Sequence, residues 1–215
     1  MARYGMVIDL NRCIGCLACV VACIRENIAR QTGEDVVYPE PPVLYARTKP
    51  VHMKGGESLP FSDTTVFIQC QHCENPPCAM VCPTGATFVD EYGVVRLDHN
   101  KCIGCRACMI ACPYAARTMY RGSLPGEPPN KYGLVPNTPD KCTFCVHRRE
   151  AGNWVPACVE ACAFGARMFG DLDDDKSEVA RIVRSGTAVQ LLSGLGCDPK
   201  LFYVPPLRSA LNARR

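Results

Sequence analysis

The chain has 215 residues, 47% hydrophobic and 21% charged, with a formal net charge of +3. That length allows one large domain or two small ones, and the composition is that of a folded globular protein, not a disordered one. A charge this close to neutral excludes nucleic-acid recognition by a strong basic stripe. No apolar run approaches the roughly 18 residues a membrane-spanning helix needs.

In chain order, YGMVIDL (4–10) is apolar and β-branched enough to predict a strand. It leads into a first cysteine run, Cys13, Cys16, Cys19 and Cys23, whose apolar stretch after Cys16 predicts a short helix carrying Cys23. Residues 24–42 read as a connector punctuated by Gly33, Pro39, Pro41 and Pro42. VLYART (43–48) and TTVFIQC (64–70) predict two strands of a hairpin with a long tip bearing Lys54, Gly55 and Gly56.

The second run is Cys70, Cys73, Cys78 and Cys82, closed by Pro83. GVVRLD (93–98) predicts another strand, and the third run follows as Cys102, Cys105, Cys108 and Cys112, closed by Pro113. Residues 121–140 are rich in glycine and proline and read as a loop. The fourth run is Cys142, Cys145, Cys158 and Cys162, with a wide gap between its second and third members. A helix is expected around Ser177–Arg184, with acidic residues at its start where the helix dipole favours them. LFYV (201–204) is expected to dock as a strand, and the basic tail to fray.

Cysteine is the outlier, at seventeen residues. Disulfide scaffolds are mostly short secreted chains; this chain is longer, and MARYGMVIDLNRCIG lacks an apolar leader core. Structural zinc prefers paired knuckles in one tetrahedral site. Here sixteen cysteines fall into four groups of four, each ending in C-x3-C, and the third group has the C-x2-C-x2-C-x3-C-P spacing of bacterial iron–sulfur ligation.

Three thiolates on a tight loop wrap three corners of a cubane, and Gly15 and Gly104 sit where the backbone must come close to it. The fourth cysteine faces away and, in two-cluster ferredoxins, ligates the other cluster. An oxidised four-iron cluster with its thiolates carries roughly −2 charge. Arg12, Lys101, Arg106 and Lys141 stand beside the cysteines, placed to offset it or to serve as solvated surface.

Cys197 stands alone and reads as a buried thiol. His72 and His147 read as packing or backbone-bonding residues, His52 and His99 as surface, and Trp154 as ordinary packing. Asp173, Asp174 and Asp175 lack a calcium-loop pattern. No nucleophile–base arrangement, phosphate loop or dinucleotide fingerprint appears, so no catalytic residue is expected.

The stretches YGMVIDLNRCIGCLAC, CQHCENPPCAMVCPTGA, KCIGCRACMIACPYAAR, KCTFCVHRREAG, FGDLDDD and PKLFYV resemble the iron–sulfur electron-transfer subunits of the DMSO reductase superfamily, most of all the short polysulfide/thiosulfate reductase type. The resemblance covers nearly the whole chain. It implies an α+β fold of two fused ferredoxin-like units: unit A from 1–30 and 138–170, unit B from 64–120, with a hairpin insertion at 31–63 and a C-terminal helix and docking tail at 171–215.

It also implies four [4Fe–4S] clusters. Cluster 1 would be held by Cys13, Cys16, Cys19 and Cys162, and cluster 2 by Cys142, Cys145, Cys158 and Cys23. Cluster 3 would be held by Cys70, Cys73, Cys78 and Cys112, and cluster 4 by Cys102, Cys105, Cys108 and Cys82. Ala163 stands where many relatives have proline, a departure that bears on the local turn.

The implied partners are a molybdenum- or tungsten-bis(pterin) catalytic subunit and an integral membrane anchor that exchanges electrons with quinone. The chain itself would be peripheral to the membrane, on the periplasmic face if it is co-exported with the catalytic subunit and otherwise on the cytoplasmic face. The competing readings are a free-standing soluble polyferredoxin and a zinc-binding module.

Overall fold

The computed structural model describes residues 2–29, 47–53, 64–119, 135 and 137–206. The fold is α+β, with short elements between the cysteine runs. Strand β1 (Tyr4–Asp9) is the centre of a three-stranded sheet. It pairs antiparallel with β8 (Arg167–Asp171), Met6 opposite Phe169, and parallel with β9 (Leu201–Val204), Met6 opposite Leu201. The strand expected after the first residues and the expected docking strand therefore lie side by side.

Met6, Val7 and Ile8 are fully buried, because β1 is covered on both faces. Burying side chains of this size contributes about 1.5–3 kcal/mol each. Tyr203 of β9 is also buried, and its hydroxyl donates to the Phe67 carbonyl at 3.0 Å. That bond ties the sheet to a hairpin of β2 (Thr48–Met53) and β3 (Thr64–Gln69), in which Val51 faces Val66.

The first hairpin strand is described as Thr48–Met53; of the expected strand at 43–48, residues 43–46 lie outside the described residues. Its register is set by partners in β3, with Thr48 opposite Gln69. Residues 43–46 and the hairpin tip at 54–63 lie outside the described residues, as do most of the 121–140 loop and the tail from 207.

Two further hairpins were not expected. Strand β4 (Thr87–Val89) pairs with β5 (Val95–Leu97), and β6 (Thr118–Met119) pairs with β7 (Pro139–Asp140). Helix α1 (Ala18–Ile24) carries both Cys19 and Cys23 and continues as a π-helical turn, Arg25–Ala29, into the expected connector. Single-turn helices α2 (Pro77–Met80), α3 (Ala107–Ile110) and α5 (Ala157–Glu160) carry Cys78, Cys108 and Cys158, while α4 (Val146–Glu150) follows Cys145. Helix α6 (Glu178–Arg184) starts after Ser177, as expected, and packs on β8 and β1.

The runs repeat the same local turns. The third residue of each opening C-x2-C has positive φ: Gly15, Gly104, His72 and Phe144, at 72°, 70°, 47° and 52°. After the fourth cysteine, Gly85, Ala115 and Gly165 return their N–H to the carbonyls of Cys82, Cys112 and Cys162. Cys162 therefore makes the same turn although Ala163 replaces proline.

A four-cluster iron–sulfur centre

All seventeen cysteines are free thiols, so none is spent on a disulfide. Cys13, Cys16, Cys19 and Cys162 line one cavity together with Ile8, Phe67 and Arg167. Cys23, Cys142, Cys145 and Cys158 line a second, together with Asn27, Gln69 and Arg47. Each cavity takes three cysteines from one run and one from the other, so the first and fourth runs interlock.

The second and third runs also pack together. Cys70 and Cys73 pack with Cys112 against Tyr114 and Ala116. Burial, and after it Cys70 and then Cys197, Cys78 and Cys112, push the Cys73 thiol up to about 12. Cys108 is raised by burial and by Cys78, Cys102 and Cys82, against the pull of Arg117. Cys105 is exposed on the loop between Cys102 and Cys108.

The sets follow one another in space. Cys19 and Cys158 share one packed core, with Cys13 and Cys142 against it. Cys142 also packs against Cys70 and Cys73, and Cys78 packs with Cys108. At the middle contact, the rings of His72 and Phe144 stack with centroids 3.8 Å apart. These are equivalent positions of the second and fourth runs, set back to back.

The residues fit a cluster. Burial, and then Cys158, push Cys23 up to about 12, and burial pushes Cys158 to about 11. Such thiols stay protonated until a cation displaces the proton, as bound iron does. Among the described residues, no three His, Cys, Asp or Glu side chains converge as a single ion would require. The cysteines of the first and fourth runs instead border cavities.

Donors already point at sulfur. The Phe144 N–H donates to Cys142 Sγ and the Thr87 N–H to Cys82 Sγ, each at 3.4 Å. Asn27 Nδ2 reaches Cys23 Sγ at 3.6 Å, and Arg167 reaches Cys158 Sγ at 3.7 Å. Arg117 is buried beside Cys78, yet its two terminal nitrogens have no acceptor among the described residues. Inorganic sulfides would supply one.

The buried cations were largely missed by the spacing argument. Of the four basic residues singled out from the sequence, Lys141 is buried while Arg12, Lys101 and Arg106 are exposed. Arg117 and Arg167 lie inside and were not anticipated. The available signal was their place, each five residues after the last cysteine of its run, where buried Thr87 stands after the second run.

His72 packs as expected, accepting the Val95 N–H at Nδ1, and burial keeps its pKa well below the usual value. His147 reaches Glu26 at 2.9 Å, and His52 is exposed as expected. His99 departs from its surface reading. It is half-buried, because β7 brings Thr138 Oγ1 within 2.9 Å of its Nδ1. Trp154 stacks on Tyr4, centroids 5.0 Å apart. Cys197 is buried against the second run, in the core that holds Cys70 and Cys73.

Two family models, each described as a 4Fe-4S dicluster domain, match residues 64–126 and 101–166. The chain is 40% identical to the putative iron-sulfur B subunit of a dimethyl sulfoxide reductase of Halobacterium salinarum, over 95% of this chain and 79% of the relative. It is 39% identical to the B subunit of tetrathionate reductase of Salmonella typhimurium, over 94% and 72%. It is 38% identical to the B polypeptide of polysulfide reductase of Wolinella succinogenes, over 98% of each.

The chain is an iron–sulfur electron-transfer protein with four [4Fe–4S] clusters. It belongs to the family of iron–sulfur B subunits of DMSO, tetrathionate and polysulfide reductases.

Proposed function

We propose that the chain is the non-catalytic relay between a molybdenum- or tungsten-bis(pterin) subunit and a quinone-linked membrane anchor. The observation that carries this reading is the row of four cysteine sets with an exposed apolar rim at each end. Ile14 (63% exposed), Leu17 and Phe164 surround the first set, and Met80, Ile103 and Ile110 (86%) surround the last. Apolar surface of this kind beside a redox group is what docking to a partner covers.

Each bound cluster supplies a site that takes up and releases one electron. The chain's own residues do the rest. Cys13, Cys16, Cys19 and Cys162 form the first ligand set, and Cys142, Cys145, Cys158 and Cys23 the second. Cys70, Cys73, Cys78 and Cys112 form the third, and Cys102, Cys105, Cys108 and Cys82 the fourth. The first two belong to ferredoxin-like unit A (1–30 and 138–170), the others to unit B (64–120). Met6, Ile8 and Phe67 keep water from the first two sets, and N–H donors such as those of Phe144 and Thr87 stabilise charge on sulfur.

In this reading unit A faces the catalytic subunit and unit B the anchor. The chain sits peripherally on the membrane, on the periplasmic face if it crosses with its catalytic partner. No helix among the described residues is long and apolar enough to span a membrane. Anaerobic purification from native membranes is the test. Co-isolation with a large molybdo- or tungstoprotein and an integral membrane protein is expected, with about sixteen irons on the chain. A chain that isolates alone and monodisperse would be a free-standing polyferredoxin.

A further inference from the structure

Three buried cations stand where adjacent cysteine sets meet. Arg167 lines the cavity of the first set and reaches Cys158 Sγ of the second at 3.7 Å. Lys141 is fully buried and donates to the Cys142 carbonyl at 2.9 Å and to the Val95 carbonyl. It precedes Cys142 of the second set and feels the charge of Cys70 and Cys78 of the third. Arg117 lies beside Cys78 of the third set and Cys108 of the fourth, which pack together.

None of the three has a carboxylate partner among its described contacts. Arg167 bonds the Gln69 amide oxygen and the Thr48 hydroxyl, Lys141 two carbonyls, and the Arg117 terminal nitrogens nothing. Arg47, Arg12 and Lys101, which also stand near the sets, are neutralised. Arg47 pairs with Asp140 at 2.7 Å, Arg12 with Asp9, and Lys101 with Asp98. Among the described residues, the buried positive charge without a carboxylate partner thus stands at the three gaps, since buried Lys200 pairs with Glu74 at 3.2 Å.

We propose that Arg167, Lys141 and Arg117 are shared tuning cations, one per gap, each raising the reduction potential of both clusters that flank it. Reduction adds one negative charge to a cluster, and a buried cation a few ångströms away stabilises that charge strongly in a poorly screened interior. Cluster potential depends on local charge and on hydrogen bonds to sulfur. The pattern is built into the repeat. Arg117 and Arg167 both fall five residues after the last cysteine of a run, and each follows the same return turn.

The inference rests on the proposed ligand sets, and the test separates the two. The iron-loaded protein, in the complex in which it is isolated, carries Arg117→Gln or Arg117→Lys and is titrated potentiometrically with EPR detection. Signals are assigned beforehand with single cysteine variants. Arg117→Gln is expected to lower the midpoints of the third and fourth clusters and leave the first two unmoved, while Arg117→Lys restores wild-type values. Arg167→Gln should lower the first and second, and Lys141→Gln the second and third.

A shift confined to one cluster, or none, overturns the sharing. A downward shift in a different pair keeps the sharing and overturns the ligand sets. Where a glutamine variant loses a cluster, its charge-conserving partner decides. Four clusters at wild-type potentials in the lysine or arginine variant support the proposal, and cluster loss there too ends it.

Discussion

Arg117 and Arg167 occupy the same place in two copies of one repeat, yet among the described residues only Arg167 finds oxygen acceptors for its terminal nitrogens. Arg167 donates to Gln69 Oε1 at 2.8 Å and to Thr48 Oγ1 at 3.0 Å, and its guanidinium lies over the Phe67 ring. Arg117 is as deeply buried, but its terminal nitrogens find no acceptor among the described residues. The contrast follows from what surrounds each. The β2–β3 hairpin lays polar side chains over the junction of the first two sets. At the junction of the last two, Arg117 has thiols about it, Cys78 and Cys108 foremost. One junction is complete in the polypeptide, and the other is completed by what the cysteines bind.

The largest effect that bears on this contrast comes from the paired cysteines. Cys112→Ala and Cys162→Ala should each lose about four of about sixteen irons. Each should lose the cluster of the other run, that of Cys70, Cys73 and Cys78 or that of Cys13, Cys16 and Cys19. Cys112→Ala should also melt at the lower temperature, because a buried guanidinium left without acceptors costs about 1–3 kcal/mol or more. EPR showing loss of the Cys102, Cys105 and Cys108 cluster alone in Cys112→Ala would break the crossed pairing. Equal melting temperatures would break the contrast between the junctions.

Next in size is removal of the cations themselves. Arg167→Met strands the Gln69 amide oxygen and the Thr48 hydroxyl in the core, at about 1–3 kcal/mol for each stranded group. Arg117→Met breaks no hydrogen bond of its terminal nitrogens to the described protein, so it should destabilise less. Anaerobic denaturant unfolding of the two variants measures the difference. The opposite order would show that Arg117 holds the fold and Arg167 does not.

How far this site was legible in the sequence depends on range. Cysteine spacing is local, so the four runs, the helix of the first run and the strands at 4–9, 95–97 and 201–204 could be read directly. Which cavity each cysteine lines is non-local, and only the family resemblance pointed to the crossed sets. Lys141 could not be told from Lys101 by sequence, since both precede a run. What separates them is the Val95 carbonyl and a covering of chain that buries one and not the other. Arg117 and Arg167 look like surface residues in ARTM and ARMF until β-pairing closes over them. The extension of the first hairpin strand to 49–53 was not read from the sequence, because its register is set by β3, which period-2 patterning in a short polar stretch does not specify.

A smaller effect compares the two glycines that open the first and third runs. Both have left-handed φ, so alanine costs about 1–2 kcal/mol at either. At Gly104 a Cβ would also run into the Asn137 carbonyl oxygen, whereas at Gly15 the nearest atom is Thr65 Oγ1, at 3.7 Å. Gly104→Ala should therefore lower stability and iron content more than Gly15→Ala. His72 and Phe144 hold side chains at the equivalent positions because their rings stack on each other instead of meeting backbone. Equal iron retention in the two alanine variants would count against the close approach at Gly104.

The smallest expected effect is a pH dependence near the fourth set, carried by His99. Thr138 Oγ1 donates to the Val135 carbonyl, so it accepts the proton of His99 Nδ1. Burial pushes the His99 pKa below its usual 6.5; Asp140 opposes this and Arg47 adds to it. The folded protein thus keeps the ring neutral where the unfolded chain takes up a proton. The stability linked to His99 is fully present above pH 6.5 and falls as pH drops through that value toward the folded pKa. Between about pH 7.5 and about pH 5.5 the wild-type protein should therefore lose more stability than His99→Asn, which has no proton to take up. Anaerobic melts at the two pH values give both slopes. Identical slopes would mean that His99 is as solvated in the folded protein as in the unfolded chain, and that the half-buried contact with Thr138 does not persist in solution.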